Sequence, residues 1–222
     1  GIVGAGLLAP FTYSGGAFPG AGGNCLATLA SGASCLFVVD YLPIVANGAE
    51  TDTIEIDYND GFQAQQSTLG LDAESQTPSL LTISETDPYN FGTVAVGAQS
   101  VHSFTITNTG EFQATAVAET TVGAPFIYTG GGNTYPGATG DCGAVLAGGA
   151  TCTIEVAYSP GAPAAPDNGT ITFGYNDGVA VQSVARTMTG TAVTPASITM
   201  DGGDPYNYGT VAQGASLAQT FN

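Results

Sequence analysis

Part of this chain recurs at a fixed offset of 117 residues, and that period sets the size of the folding unit before any strand is assigned. Asp87-Pro88-Tyr89-Asn90-Phe91-Gly92-Thr93-Val94 returns as Asp204-Pro205-Tyr206-Asn207-Tyr208-Gly209-Thr210-Val211. Cys25 and Cys35 return as Cys142 and Cys152, and Tyr58-Asn59-Asp60-Gly61 returns as Tyr175-Asn176-Asp177-Gly178. A solenoid repeat is about 20–50 residues long, so this period is that of a whole domain. The chain reads as a piece of a tandem array, an organisation that serves reach, spacing or assembly before chemistry.

The register places domain boundaries. Residues 79–195 are expected to form one complete domain, residues 1–78 a partial domain lacking its opening strands, and residues 196–222 the opening strands of a further domain. Gly1 aligns with Ala116 and Asn222 with Thr105. The offset is 115 at Phe11 and 117 from Phe18 onward, because the segment from Gly130 to Gly137 is two residues longer than that from Gly15 to Gly20. A length change in a Gly-rich stretch marks a surface loop. Two explanations of the register stay open: a window on a longer array, or ends that complement each other between neighbouring molecules. In the second, the equivalents of Ile106 through Thr115 are not supplied.

Charge excludes several partners. The chain carries 18 acidic residues and one strong cation, Arg186, for a net charge of −17, and it has no lysine. Such a chain repels phosphate backbones and anionic headgroups, so neither nucleic acid nor a membrane surface is an expected partner. Without lysine, no lysine–asparagine isopeptide bond forms within these domains. The apolar stretch from Gly1 to Pro10 lacks the basic flank and length of a signal peptide or membrane span, and its alignment with Ala116 to Pro125 makes it a strand, so no membrane insertion is expected here.

The four cysteines form two equivalent pairs with nine intervening residues, which read as local disulfides, Cys25 to Cys35 and Cys142 to Cys152. The spacing is not that of a short zinc pair, and no histidine accompanies either pair. Disulfides imply an oxidising, extracellular or cell-surface location.

Apolar residues alternate with period two along most of the chain, as in Ile54, Ile56 and Tyr58, in Ile171, Phe173 and Tyr175, and in Phe104 and Ile106. This is the pattern of half-buried antiparallel strands. Cys152, Ile154, Val156 and Tyr158 share one face, as do Cys35, Phe37, Val39 and Tyr41, which puts each disulfide at the edge of a core. Turn residues separate the strands at short intervals, and 33 glycines with Thr/Val/Ile-rich runs disfavour helices. About seven strands in about 115 residues predict an all-β fold of tandem immunoglobulin-like sandwiches.

Two segments carry a family resemblance. Phe91-Gly92-Thr93-Val94-Ala95-Val96-Gly97 followed by Phe104-Thr105-Ile106-Thr107-Asn108-Thr109-Gly110 resembles the opening of ASH-type immunoglobulin-like domains, named for abnormal spindle, SPD and hydin proteins. The segment from Cys142 to Pro160, with Leu146-Ala147-Gly148-Gly149-Ala150-Thr151-Cys152 and Tyr158-Ser159-Pro160, is similar to the cysteine-containing version in secreted bacterial "choice-of-anchor" repeat proteins. The resemblance implies an extracellular bacterial tandem-repeat protein and brings no catalytic residues with it.

Candidate sites are few. His102 is the only histidine and its repeat equivalent is Gln219, so it reads as a strand-surface residue and not as a general base. No catalytic residues are expected. Calcium is the metal the acidic composition suits, with Asp60, Asp177, Asp87 and Asp204 as recurring carboxylates, each of which also has a turn explanation. Tyr128 and Tyr135, beside Gly-rich loops, are candidates for contact with a glycan or host surface. The expected function is that of a structural subunit or segment of an extracellular fibre or stalk whose domains join head to tail, with other copies of itself as partners. An adhesin or carbohydrate-binding module, or an accessory domain of a secreted enzyme, would use the same fold.

Overall fold

The computed structural model describes residues 1–43, 45, 48–119 and 122–222. Among them there is no α-helix; a single 3-10 turn, Ser14–Gly16, interrupts an otherwise all-β chain. Residues 81–193 form the part of the fold termed the sandwich.

Five strands precede the sandwich: β1 (Val3–Gly4), β2 (Phe11–Tyr13), β3 (Val39–Tyr41), β4 (Gly48–Asn59) and β5 (Ala64–Ser75). The sandwich contains β6 (Leu81–Ile83), β7 (Tyr89–Ala95), β8 (Ser100–Asn108), β9 (Thr115–Glu119), β10 (Phe126–Tyr128), β11 (Thr151–Tyr158), β12 (Ala164–Asn176) and β13 (Val181–Val193). These eight form two four-stranded sheets, β10-β11-β8-β6 and β7-β13-β12-β9. Facing side chains from both sheets, among them Leu81, Phe91, Phe104, Phe126, Ile154, Tyr158 and Phe173, close one core. Each large apolar side chain buried there contributes roughly 1.5–3 kcal/mol. The fold is an immunoglobulin-like β-sandwich.

One pairing differs from the antiparallel expectation: β13 and β7 run parallel, with Met188 opposite Tyr89 and Val193 opposite Ala95. The opening segment divides between the sheets, β6 pairing with β8 in one and β7 with β13 in the other. No hairpin joins the first strands to the last, so no tight turn imposes an antiparallel direction.

Entry and exit lie at opposite ends of the sandwich. Leu81 pairs with Asn108 at the end of β8, and Thr109 N donates to Leu80 O at 2.8 Å. Val193 O accepts from Val96 N at 2.9 Å, beside the turn in which Ala98 N donates to Ala95 O and the chain passes into the start of β8. The nine residues of β8 span the interval. At about 3.4 Å per residue that is roughly 25–30 Å.

The entry end is pinned by Asn108, which is fully buried. Its Nδ2 donates to Phe112 O at 2.9 Å and to Leu146 O and Ala147 O at 3.2 Å, while Oδ1 accepts from Leu80 N and Gly110 N at 3.1 Å. Five partners for one amide satisfy a group that would otherwise be expensive to bury.

The first region, termed the head, repeats the sandwich pairing by pairing. Phe11 faces Tyr41 as Phe126 faces Tyr158, and Gly4 faces Ile56 as Glu119 faces Phe173. The Pro-Gly turn is also the same: a Cβ on Gly137 would lie 2.4 Å from Glu155 O, and one on Gly20 would lie 2.3 Å from Val38 O. Both turns lie flat on the neighbouring strand, and both glycines have positive φ. Among the described residues, no strand of the head corresponds to β6, β7 or β8. Its sheets are β1-β4-β5 and β2-β3.

Candidate functional site

The predicted disulfides are present. Cys25 bonds to Cys35 and Cys142 to Cys152, each with a Cα–Cα distance of 4.9 Å. Each pair is held by the same backbone clasp. Asn24 N and Cys25 N both donate to Leu36 O, and Asp141 N and Cys142 N both donate to Thr153 O. Cys142 and Cys152 are buried at the core edge.

The carboxylates singled out for calcium are engaged in the fold. Asp177 Oδ1 accepts from Val179 N and Ala180 N, and Oδ2 accepts from Gln182 Nε2 at 2.9 Å. Asp60 makes the equivalent set with Phe62 N, Gln63 N and Gln65 Nε2. Backbone donors hold both carboxyls below the usual range. Asp87 accepts from the Thr187 hydroxyl and from Thr187 N, with Arg186 4.0 Å away. Asp204 lies exposed in the last region. Among the described residues, no three His, Cys, Asp or Glu side chains converge as metal ligands. His102 stacks on Tyr89, with ring centroids 4.1 Å apart, and sits 3.4 Å from Glu85.

Tyr128 and Tyr135, expected as loop contacts for a ligand, face the core. Tyr128 is fully buried on β10, and Tyr135 packs edge-on against it with centroids 5.8 Å apart. Tyr128 offers no open ring to a glycan, and Tyr135 keeps only part of its surface exposed. The physical reason is alternation: Phe126 and Tyr128 occupy the same face of one short strand, and the adjoining Gly-rich loop folds Tyr135 back over it. The Glu119 carboxyl belongs to the same buried group, and burial pushes it upward. Burial, with Glu119 nearby, also pushes the Tyr135 hydroxyl up to about 12. No repeat motif marks Glu119; its place two residues after Val117, on the same face of an alternating strand, is the only signal.

On the head, the apolar side that β6, β7 and β8 help to close in the sandwich is open in this structure. A groove of about 660 Å³ is lined by Ile2, Phe18, Cys25, Cys35, Phe37 and Ile56, among others. The equivalents Val117, Tyr135, Cys142, Cys152, Ile154 and Phe173 belong in the sandwich to one core with Leu81, Ile83 and Phe104. Two strand edges flank the groove. Among the described residues, β5 pairs only with β4, and β3 only with β2. The loss of a partner is visible in length: β11 runs for eight residues beside β8, and its counterpart β3 for three.

The last region, residues 196–222 or the tail, carries the opposite imbalance. It holds the equivalents of β6, β7 and most of β8 but forms no strand in this chain. Ile198 is 93% exposed where Leu81 is 2%, and Phe221 is 40% exposed where Phe104 is 0%. Its local geometry nevertheless matches the sandwich. Tyr206 lies 5.0 Å from Tyr208 and 4.9 Å from Phe221, both edge-on, as Tyr89 lies 5.0 Å from Phe91 and 5.2 Å from Phe104. Asn207 Oδ1 accepts from Gly209 N as Asn90 Oδ1 accepts from Gly92 N.

No protein-family model matches the chain, and no curated protein matches it. Several solved structures share part of its course. The ASH or PapD-like domain 7 of human CEP192 is 12% identical, covering 54% of this chain and 89% of that one, with a TM-score of 0.40. The VesB protease of Vibrio cholerae is 20% identical over 50% of this chain and 31% of that one, at a TM-score of 0.38. A protein of unknown function from Porphyromonas gingivalis is 12% identical over 86% of this chain and 83% of that one, at 0.36.

Proposed function

We propose that this chain is a structural, non-catalytic segment of an extracellular or cell-surface fibre or stalk, built from immunoglobulin-like domains joined head to tail. One observation carries the reading: the sandwich admits the chain at one end and releases it at the other, and the regions on both sides repeat its pairings or its ring geometry. Domains connected in this way stack along a line. Two disulfides suit an oxidising exterior, and a net charge of −17 discourages non-specific clumping of the finished fibre. The reading fits the sequence resemblance to ASH-type repeats of secreted bacterial proteins. Electron microscopy of the native material tests it. Filaments with an axial repeat of about one sandwich length are expected, and monodisperse isolated particles would overturn it. The adhesin alternative would need contact residues other than Tyr128, whose side chain is buried.

A further inference from the structure

We infer that residues 77–80 are a clasped joint: the sandwich grips the segment that enters it, fixes the direction in which the head leaves, and confines bending between the two regions to Gln76. The joint lies within one molecule and is independent of whether the chain belongs to a fibre.

The head and the sandwich share no sheet, and the run between β5 and β6 connects them. Residues 76–80 read Gln-Thr-Pro-Ser-Leu. Short polar connections on a surface are ordinarily loose, with their backbone groups bonded to water. Here the backbone is paired with the sandwich. Thr77 O accepts from Glu111 N at 3.2 Å and from Phe112 N at 3.0 Å. Ser79 N donates to Asp177 O at 3.0 Å, and Leu80 N donates to Asn108 Oδ1 at 3.1 Å. Leu80 O accepts from Thr109 N at 2.8 Å and from the Thr109 hydroxyl at 3.0 Å. Pro78 has no N–H to satisfy, its ring fixes its own φ, and it keeps Thr77 extended.

The Glu111 carboxylate closes the clasp. Its Oε2 accepts from Thr77 N at 3.0 Å and from the Thr77 hydroxyl at 3.1 Å. Bonds to an ionised acceptor are stronger than those between neutral groups. The grip also depends on close approach, since a Cβ on Gly110 would lie 2.1 Å from Pro78 O. A glycine there lets the turn after β8 lie flat on the linker. The partners come from two separate parts of the sandwich, that turn and the β12–β13 hairpin at Asp177, so the linker is held from two sides. Ser79 is buried between them.

The head is anchored equally close to the joint. Ser75, the last residue of β5, pairs with Gly48, is buried, and donates its hydroxyl to Val45 O. Exposed Gln76 is the one position between the last residue tied to the head and the first tied to the sandwich. One residue contributes one soft φ,ψ pair, which leaves a pivot and not a flexible tether. Thr77-Pro78 after β5 returns as Thr194-Pro195 after β13, so the gripped run belongs to the repeated unit.

Backbone amide NMR relaxation of the dilute 222-residue chain tests the clasp. Thr77, Ser79 and Leu80 should show order parameters of about 0.85, as rigid backbone does, and values below about 0.6 would overturn the clasp. Glu111→Ala, at an exposed position, should lower the order parameter of Thr77 and leave the main unfolding transition in place. Thr77→Val, which loses the hydroxyl alone, should act in the same direction and less. A Thr77 amide left unmoved by Glu111→Ala would overturn the clasp. In the parent chain, β4 and β5 should tumble with the same correlation time as β8, and Gly-Ser-Gly inserted after Gln76 should shorten that of β4 and β5 alone. Unequal times in the parent chain would contradict a stiff joint. Equal times that survive the insertion would also overturn it, by showing that surfaces and not the linker hold the two regions together. None of these readouts requires filaments, so the fibre reading stands or falls separately.

Discussion

The head and the sandwich have nearly the same turns, clasps and pairings, and they differ in whether a second set of strands covers the apolar face. In the sandwich, Ile154 and Phe173 are fully buried; in the head, their counterparts Phe37 and Ile56 remain half-exposed. Yet the head keeps its disulfide, its Pro-Gly turn, its Asp60 cap and its Phe11–Tyr41 ring pair. Local geometry in this fold is therefore written into each segment. The closed core supplies the stability that local geometry alone does not.

The largest effect expected from this difference comes from one ring position seen in two settings. Phe104→Ala should destabilise the sandwich by about 3–5 kcal/mol, the usual penalty for emptying a fully buried aromatic site. Phe221→Ala should change the stability of the dilute chain by less than about 0.5 kcal/mol, as for a surface position. Denaturant titration followed by tyrosine fluorescence measures both, and a large penalty at Phe221 in dilute chain would break the comparison. Replacing Cys142 and Cys152 by serine should cost the sandwich about 2–4 kcal/mol. The same change at Cys25 and Cys35 should leave the main unfolding transition in place and increase proteolysis within residues 1–43.

Much of this was readable in the sequence, and the misreadings have physical causes. The repeat, the disulfides and the all-β character follow from spacing and alternation, which are local properties. The parallel contact of β7 with β13 joins segments about a hundred residues apart, and no local pattern encodes its direction. The glycines after Tyr128 suggest a contact residue beside a loop, although Phe126 two residues earlier marks its inward face. Asn108 stood out as a motif residue, but its five hydrogen bonds come from three separate segments.

Smaller effects sharpen the comparison. Tyr158→Phe should cost the sandwich about 1–2 kcal/mol through its lost bond to Asp167, and Tyr41→Phe should cost the half-covered head less. Acid should loosen both regions. Asp60, Asp87, Asp141, Glu155 and Asp177 all titrate below their ordinary values, held there by donors from backbone and side chains. Their contribution is complete above the unfolded carboxylate range and is lost as pH falls through the folded values. Glu119 has the opposite sign: burial raises it, so its contribution is present below the unfolded value and is lost as pH rises through the folded one. Glu119→Gln should therefore raise the melting temperature at neutral pH and change it little in acid. Calorimetry across pH separates the two classes.

Hydrogen exchange on the two free edges addresses the central claim most directly. In dilute chain, the amides of β3 and of β5 near Leu71 to Ser75 that face away from existing partners should exchange quickly, as for unpaired edges. In native filaments the same amides should become protected together with those of residues 206–221, as for strands inside complete domains. Edge amides that exchange equally fast in filaments and in dilute chain would contradict a fibre in which such domains join head to tail.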